Sequence, residues 1–139
     1  MTVAQRSIQD LEVGQSIGTI QIPITLQRLV MEAGANRDLS LIHHDGNVAR
    51  TTGASDAYAN TFFLMGMFER LCRDWMGPGG RITNLGPMKM LAFNVVGDTV
   101  TFSGEVAKVD PAAGRVTLSL AAGNEQGRKA ICDAVLEWR

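Results

Sequence analysis

One stretch of this sequence has no side that tolerates water. Residues 56 to about 76 follow a helical pattern, roughly 30 Å long at 1.5 Å per residue. Its first half is apolar nearly all round: Ala57, Tyr58, Ala59, Phe62, Phe63, Leu64, Met65, Met67 and Phe68. A helix apolar on every side must be buried on every side. Only the second half carries a charged stripe, Glu69, Arg70, Arg73 and Asp74, and Gly77-Pro78-Gly79-Gly80 stops it. The longest charge-free apolar run, residues 57–68, is too short to span a bilayer. The rest of the chain therefore has to wrap this helix.

The sequence after Ile82 supplies a wrapper. Val100, Phe102 and Val106 alternate with Thr99, Thr101, Ser103 and Glu105. Val116, Leu118 and Leu120 alternate with Thr117 and Ser119, and Ala130, Cys132, Ala134, Leu136 and Trp138 share one face. Turn signals separate these runs at Asp110-Pro111-Ala112-Ala113-Gly114 and Asn124-Glu125-Gln126-Gly127. Strands joined by short turns favour antiparallel pairing. The fold class expected is α+β, an antiparallel sheet curled as a meander around one long helix. Upstream, residues 16–24 read as a strand, with Ile20, Ile22 and Ile24 in phase and Ile17 out of phase. Thr25 reads as the N-cap of a helix with Leu26, Leu29, Val30 and Ala33 at helical spacing and Gly34 as its stop. Residues 36–45 read as a loop, and Asp45 as the cap of a short helical turn over residues 47–51.

The 139 residues suit one domain, 1–139, with a proper core. A net charge of -1 and no run of Lys or Arg argue against nucleic acid as a partner. The N-terminal residues lack an apolar signal core. Cys72 and Cys132 have no metal-ligand spacing, so the expectation is two reduced, packed thiols in a cytoplasmic protein, with neither metal nor membrane.

The loop carries the first candidate for chemistry. Asp38 and His43 lie five residues apart in Asp38-Leu39-Ser40-Leu41-Ile42-His43, next to the other histidine, His44. Both groups move protons near neutral pH. The plain alternative is that Asp38 caps a turn and His43 is a satisfied polar residue at a loop edge.

These residues and their neighbours resemble the MaoC-like, (R)-specific enoyl-CoA hydratase branch of the hot-dog fold. That family's signature has an Asp, then Asn-Pro, then a His five residues after the Asp. Asp38 and His43 match it, while Ser40 and Leu41 replace Asn-Pro and Arg37 stands where a Gly is frequent. The turn Val48-Ala49-Arg50-Thr51-Thr52-Gly53 resembles the family's Ala-rich turn, and a His-Gly at the central helix start falls on Asn60-Thr61. Residues 82–109 resemble the strand pair containing Gly97-Asp98-Thr99-Val100. Arg37-Asp38, His43-His44-Asp45, Asp74-Trp75-Met76-Gly77-Pro78 and residues 97–106 are similar to small single-hot-dog subunits of bacterial steroid side-chain hydratases.

The resemblance implies a hydratase that adds water to a trans-2-enoyl-CoA, in fatty-acid or steroid side-chain β-oxidation, without metal or redox cofactor. CoA is part of the substrate. Asp38 becomes the base on water and His43 its orienting, proton-shuttling partner. The Thr61 backbone N–H becomes the donor to the thioester oxygen, with Ser40 and Asn60 in support. Arg50 and Lys89 are candidate contacts for CoA phosphates, as are Arg128 and Lys129. Met65, Met67, Met76, Met88 and Met90 line the core or an acyl tunnel. The open sheet edges and an apolar face imply a homodimer or a heteromer with another hot-dog subunit. Two alternatives stay open: a hot-dog thioesterase using Asp56 near the helix start, and a non-catalytic acyl-CoA-binding subunit.

Overall fold

The computed structural model describes residues 6–138. Strand β1, Ser16–Pro23, opens the sheet. Its pairing with the later strand β3, Thr99–Asp110, slips between Ser16 and Thr19, where Gly18 takes φ 91°. The slip resolves the phase conflict read in the sequence. Ile17 turns inward and is buried, and Ile20 and Ile22 still pack on the core.

Helix α1, Leu26–Ala35, begins as expected, with the Thr25 hydroxyl accepting from the Arg28 N–H at 3.1 Å. Only Leu29 and Ala33 are buried; Leu26 and Val30 are exposed, because a single i,i+4 row of this helix meets the protein. The helix runs one residue past Gly34 and closes in a Schellman motif. The Arg37 N–H donates to Gly34 O and the Asp38 N–H to Ala33 O, with Arg37 in the left-handed region at φ 56°. A 3-10 turn at Leu41–His43 then interrupts the expected loop, and Asp45 caps α2, Gly46–Arg50, through the N–H groups of Asn47 and Val48.

The central helix is shorter than its apolar run. Helix α3 spans Thr61–Met76, and residues 57–59 are extended, not helical. Tyr58 bridges Val95, the Ala59 N–H donates to Asn94 O, and the Val96 N–H donates to Ala57 O. Ala57, Tyr58 and Ala59 are apolar because they are buried, a demand that a buried helix makes equally. Asn60 supplies the true start, its side chain accepting from the Phe63 N–H at 2.8 Å.

Strands β2 (Gly80–Met90), β3, β4 (Arg115–Asn124) and β5 (Gly127–Trp138) complete an antiparallel sheet in the order β1-β3-β4-β5-β2. The order corrects the simple meander: β2 pairs with β5, not with its sequence neighbour β3. Its inner face meets α3. Leu64, Phe68, Leu71 and Cys72 pack with Val100, Phe102, Val106, Leu118, Leu120 and Leu136, and Phe68 meets Phe102 edge-on with ring centres 5.3 Å apart. The charged stripe of α3 faces out, with Arg73 on Glu69 at 2.7 Å. Met67 and Met76 are buried in this core, and Met65, Met88 and Met90 pack at its margin. Both cysteines are buried and free; burial pushes the Cys72 thiol up to about 12 and that of Cys132 up to about 11. No helix among the described residues is long and apolar enough to cross a membrane.

Candidate active site

The Schellman turn decides where Asp38 points. It lifts the carboxylate off the end of α1 toward the 3-10 turn that carries His43. There the Asp38 Oδ2 lies 3.1 Å from His43 Nε2. The imidazole is buried, and its other nitrogen, Nδ1, sits 2.6 Å from Tyr58 O. A main-chain carbonyl only accepts, so Nδ1 carries a proton and Nε2 is the nitrogen left to exchange one with Asp38. The Tyr58 ring meets the imidazole edge-on at 5.5 Å and holds its plane.

Asp38 is held by three donors. Burial opposes its charge, but the Ser40 N–H at 3.2 Å, the Asn60 side-chain amide at 3.1 Å and His43 outweigh it and keep its carboxyl below the usual range. The carboxylate is thus ionised at neutral pH, and about a quarter of its surface still meets solvent, at 27% exposure. Ser40 acts through its main chain; its hydroxyl makes no capping bond. Asn60 does two jobs with one amide: Oδ1 caps α3 and Nδ2 donates to Asp38.

Thr61 opens α3 and is exposed. Asn60 takes the N–H of Phe63, which leaves those of Thr61 and Phe62 as the unspent donors of the first turn. They stand one and two residues from the amide that holds Asp38. The Thr61 hydroxyl turns toward Met90 Sδ at 3.8 Å. His44 is exposed and outside this cluster.

The cation candidates do not gather here. Arg50 binds Asn47 Oδ1 and Ser55 O within its own turn. Lys89 and Arg128 are exposed on the sheet. Lys129 is buried and paired with Asp98 at 2.5 Å, which removes it as a phosphate ligand. Asp56 lies before α3, accepting from the Ala57 N–H at 2.7 Å, and the first acid on α3 is Glu69 in its outer stripe. The thioesterase alternative thereby loses its carboxylate on the central helix.

Two partners of the site went unread in the sequence. Tyr58 O is main chain and has no side-chain signature. Glu32 on α1 places Oε1 3.4 Å from the Asn60 N. Its signal was available, since it sits three residues after the buried Leu29 and one before the buried Ala33.

The Asp38–His43 pair thus lies beside the N-terminus of a sheet-wrapped helix, two of whose first-turn N–H groups remain free among the described residues. No protein-family model matches the chain. It is 32% identical over 111 residues, 80% of its length, to the 3-oxo-4,17-pregnadiene-20-carboxyl-CoA hydratase beta subunit of Mycobacterium tuberculosis, covering 84% of that protein. A chain in the crystal structure of the ChsH1-ChsH2 complex from the same organism superposes with a TM-score of 0.85 at 30% identity, over 92% of this chain and 98% of that one. The (R)-hydratase from A. caviae involved in PHA biosynthesis shares the fold at 22% identity, TM-score 0.83, over 94% of this chain and 99% of that one. The chain belongs to the MaoC-like enoyl-CoA hydratase family of hot-dog proteins.

Proposed function

We propose that the protein adds water across the C2=C3 bond of a trans-2-enoyl-CoA, giving a 3-hydroxyacyl-CoA, with Asp38 and His43 as its catalytic residues. The observation that carries the reading is the 3.1 Å contact between Asp38 Oδ2 and His43 Nε2, with Nδ1 locked on Tyr58 O. The pair starts with the shared proton on Nε2. Asp38 takes a proton from water as its oxygen bonds to C3. The C=C electron pair moves toward the thioester, and the Thr61 N–H meets the charge that grows on its oxygen. His43 Nε2 then gives its proton to C2. The proton on Asp38 crosses to Nε2 and restores the pair, so one water is added and no charge is left over. The chemistry calls for neither metal nor redox cofactor.

The similarity to a steroid side-chain hydratase subunit supports a bulky acyl chain, in steroid side-chain degradation. A second hot-dog subunit is the proposed partner. Leu39 and Phe62, next in sequence to Asp38 and Thr61, and Leu41, two residues before His43, are exposed, and a paired subunit would cover them and wall the acyl site. A cavity of about 690 Å³ lies instead on the sheet face turned from α3, beside Thr101, Ser103 and Arg128. The buried free thiols favour a reducing, cytoplasmic setting.

The test follows medium-chain and bulky 2-enoyl-CoA thioesters, with the chain alone and with its co-purifying subunit. Loss of conjugated absorbance without thiol release supports hydration. Thiol release, or no reaction with either substrate in either form, defeats it.

A further inference from the structure

The Glu32 carboxylate stands behind the proposed pair without entering its chemistry. It is half-buried on the inner side of α1. Its Oε2 accepts from the Asn36 side-chain amide at 3.0 Å, and its Oε1 faces the Asn60 N–H at 3.4 Å. That N–H belongs to the residue whose side chain donates to Asp38 Oδ2 and caps α3. Glu32 thus meets groups from three directions. Asn36 lies on its own helix, Asp38 and His43 on the following turns are near enough to act on its charge, and Asn60 opens α3.

We infer that Glu32 is a positioning residue for the Asp38–His43 pair: by holding the Asn60 main chain it fixes the angle at which the Asn60 amide grips Asp38. The inference rests on the hydratase reading for its kinetic consequence but not for its geometry. An ionised Glu32 is the stronger acceptor for an N–H group, and it also favours the positive end of the α3 dipole. Burial raises the Glu32 pKa, against the opposing pull of Asn60, Asn36 and His43, while Asp38 is held below its ordinary value. The two carboxylates are pushed apart, and on lowering the pH Glu32 takes up its proton first. The grip on Asn60 weakens before the base itself is protonated.

The experiment compares Glu32→Gln and Glu32→Ala, each in the wild-type and Asn60→Ala backgrounds. Circular dichroism checks that each variant is folded. The Asn60 side-chain amide resonance reports the Asp38 contact without any substrate. Glu32→Ala is expected to move that resonance toward its value in free solvent and to lower kcat by about tenfold with KM unchanged. Glu32→Gln, which keeps an acceptor without charge, is expected to retain most of the contact and to carry the acid limb of the rate profile to lower pH. In the Asn60→Ala background neither change is expected to lower kcat further. The inference is overturned if Glu32→Ala leaves the Asn60 resonance in place, or if the kcat loss persists without Asn60. A displaced Asn60 resonance in a protein that hydrates no enoyl-CoA upholds the positioning role and counts against the hydratase reading alone.

Discussion

The two ends of α3 are built for opposite purposes. The C-terminal end is packed into the fold. Trp75 and Met76 are buried, Trp75 meets Trp138 edge-on at 5.8 Å, and the Gly77 N–H closes on Arg73 O. Arg6 donates to Trp75 O at 2.9 Å and lies over its ring, a cation at the negative end of the helix. Gly80 passes so near Met76 that a Cβ there would lie 2.4 Å from Met76 Cγ. The N-terminal end is left open by comparison. Its cap is shared with Asp38, its next two N–H groups have no helical acceptor, and Phe62 is exposed. The helix is fastened at one end and keeps unsatisfied donors at the other.

Variants can break this contrast. The largest effects on rate are expected at the open end: Asp38→Asn and His43→Ala should each lower hydration about 10²- to 10⁴-fold while circular dichroism shows the variants folded. Hydration within threefold of wild type in both would end the assignment. Next is the middle of the rod. Phe68→Ala should cost about 3–5 kcal/mol in a urea titration, because the ring is fully buried against Phe102. A loss under 1 kcal/mol would mean the sheet does not clamp the helix as described. Asn60→Ala should do both things at once, costing about 1 kcal/mol as a lost cap and slowing turnover as Asp38 loses a donor. Stability lost with rate intact would separate the two jobs.

Smaller effects sharpen the comparison. Arg37→Gly should stabilise the chain by up to about 1 kcal/mol, since Arg37 holds a left-handed backbone that Gly adopts freely. A destabilised variant would show that the Arg37 side chain contributes something the turn does not. The pH dependence of melting should separate the two carboxylates. Asp38 has a depressed folded pKa, so its contribution is present above its unfolded value and is lost as pH falls through the folded one. The melting difference between wild type and Asp38→Asn should therefore shrink on acidification. Glu32 runs the other way: its raised pKa makes folding gain as pH falls through the window above its unfolded value. An Asp38→Asn difference constant from pH 7 to about 3 would remove the ionised contacts assigned to Asp38.

The sequence disclosed most where burial follows a simple period. The β3, β4 and β5 alternations match the buried faces because one side of each strand meets α3. It disclosed less where burial and conformation part company. Ala57, Tyr58 and Ala59 are buried in extended chain, and hydrophobicity alone reads them as more helix. The pattern reads as helix from residue 56, whereas Asn60 is the N-cap, and the same amide also reaches Asp38. The pairing of β2 with β5 is a long-range choice that no local pattern encodes. Asp38 and His43 stand out by spacing, Asn60 and Thr61 only through the family resemblance, and the structure brings Asp38, His43 and Asn60 into contact. Ser40 meets Asp38 through its main-chain N–H, which no side-chain pattern encodes, and Glu32 is not singled out by any motif.

The ring of His43 is tethered by the carbonyl of residue 58, a group that every amino acid possesses. Alanine scanning cannot delete it, and a substitution map would score the position by its aromatic body alone. An amide-to-ester exchange at residue 59 keeps that oxygen but weakens it as an acceptor, and it also removes the Ala59 N–H that donates to Asn94 O. Redesign of this protein should accordingly treat the path of residues 57–59 as inviolable, whatever latitude their side chains display.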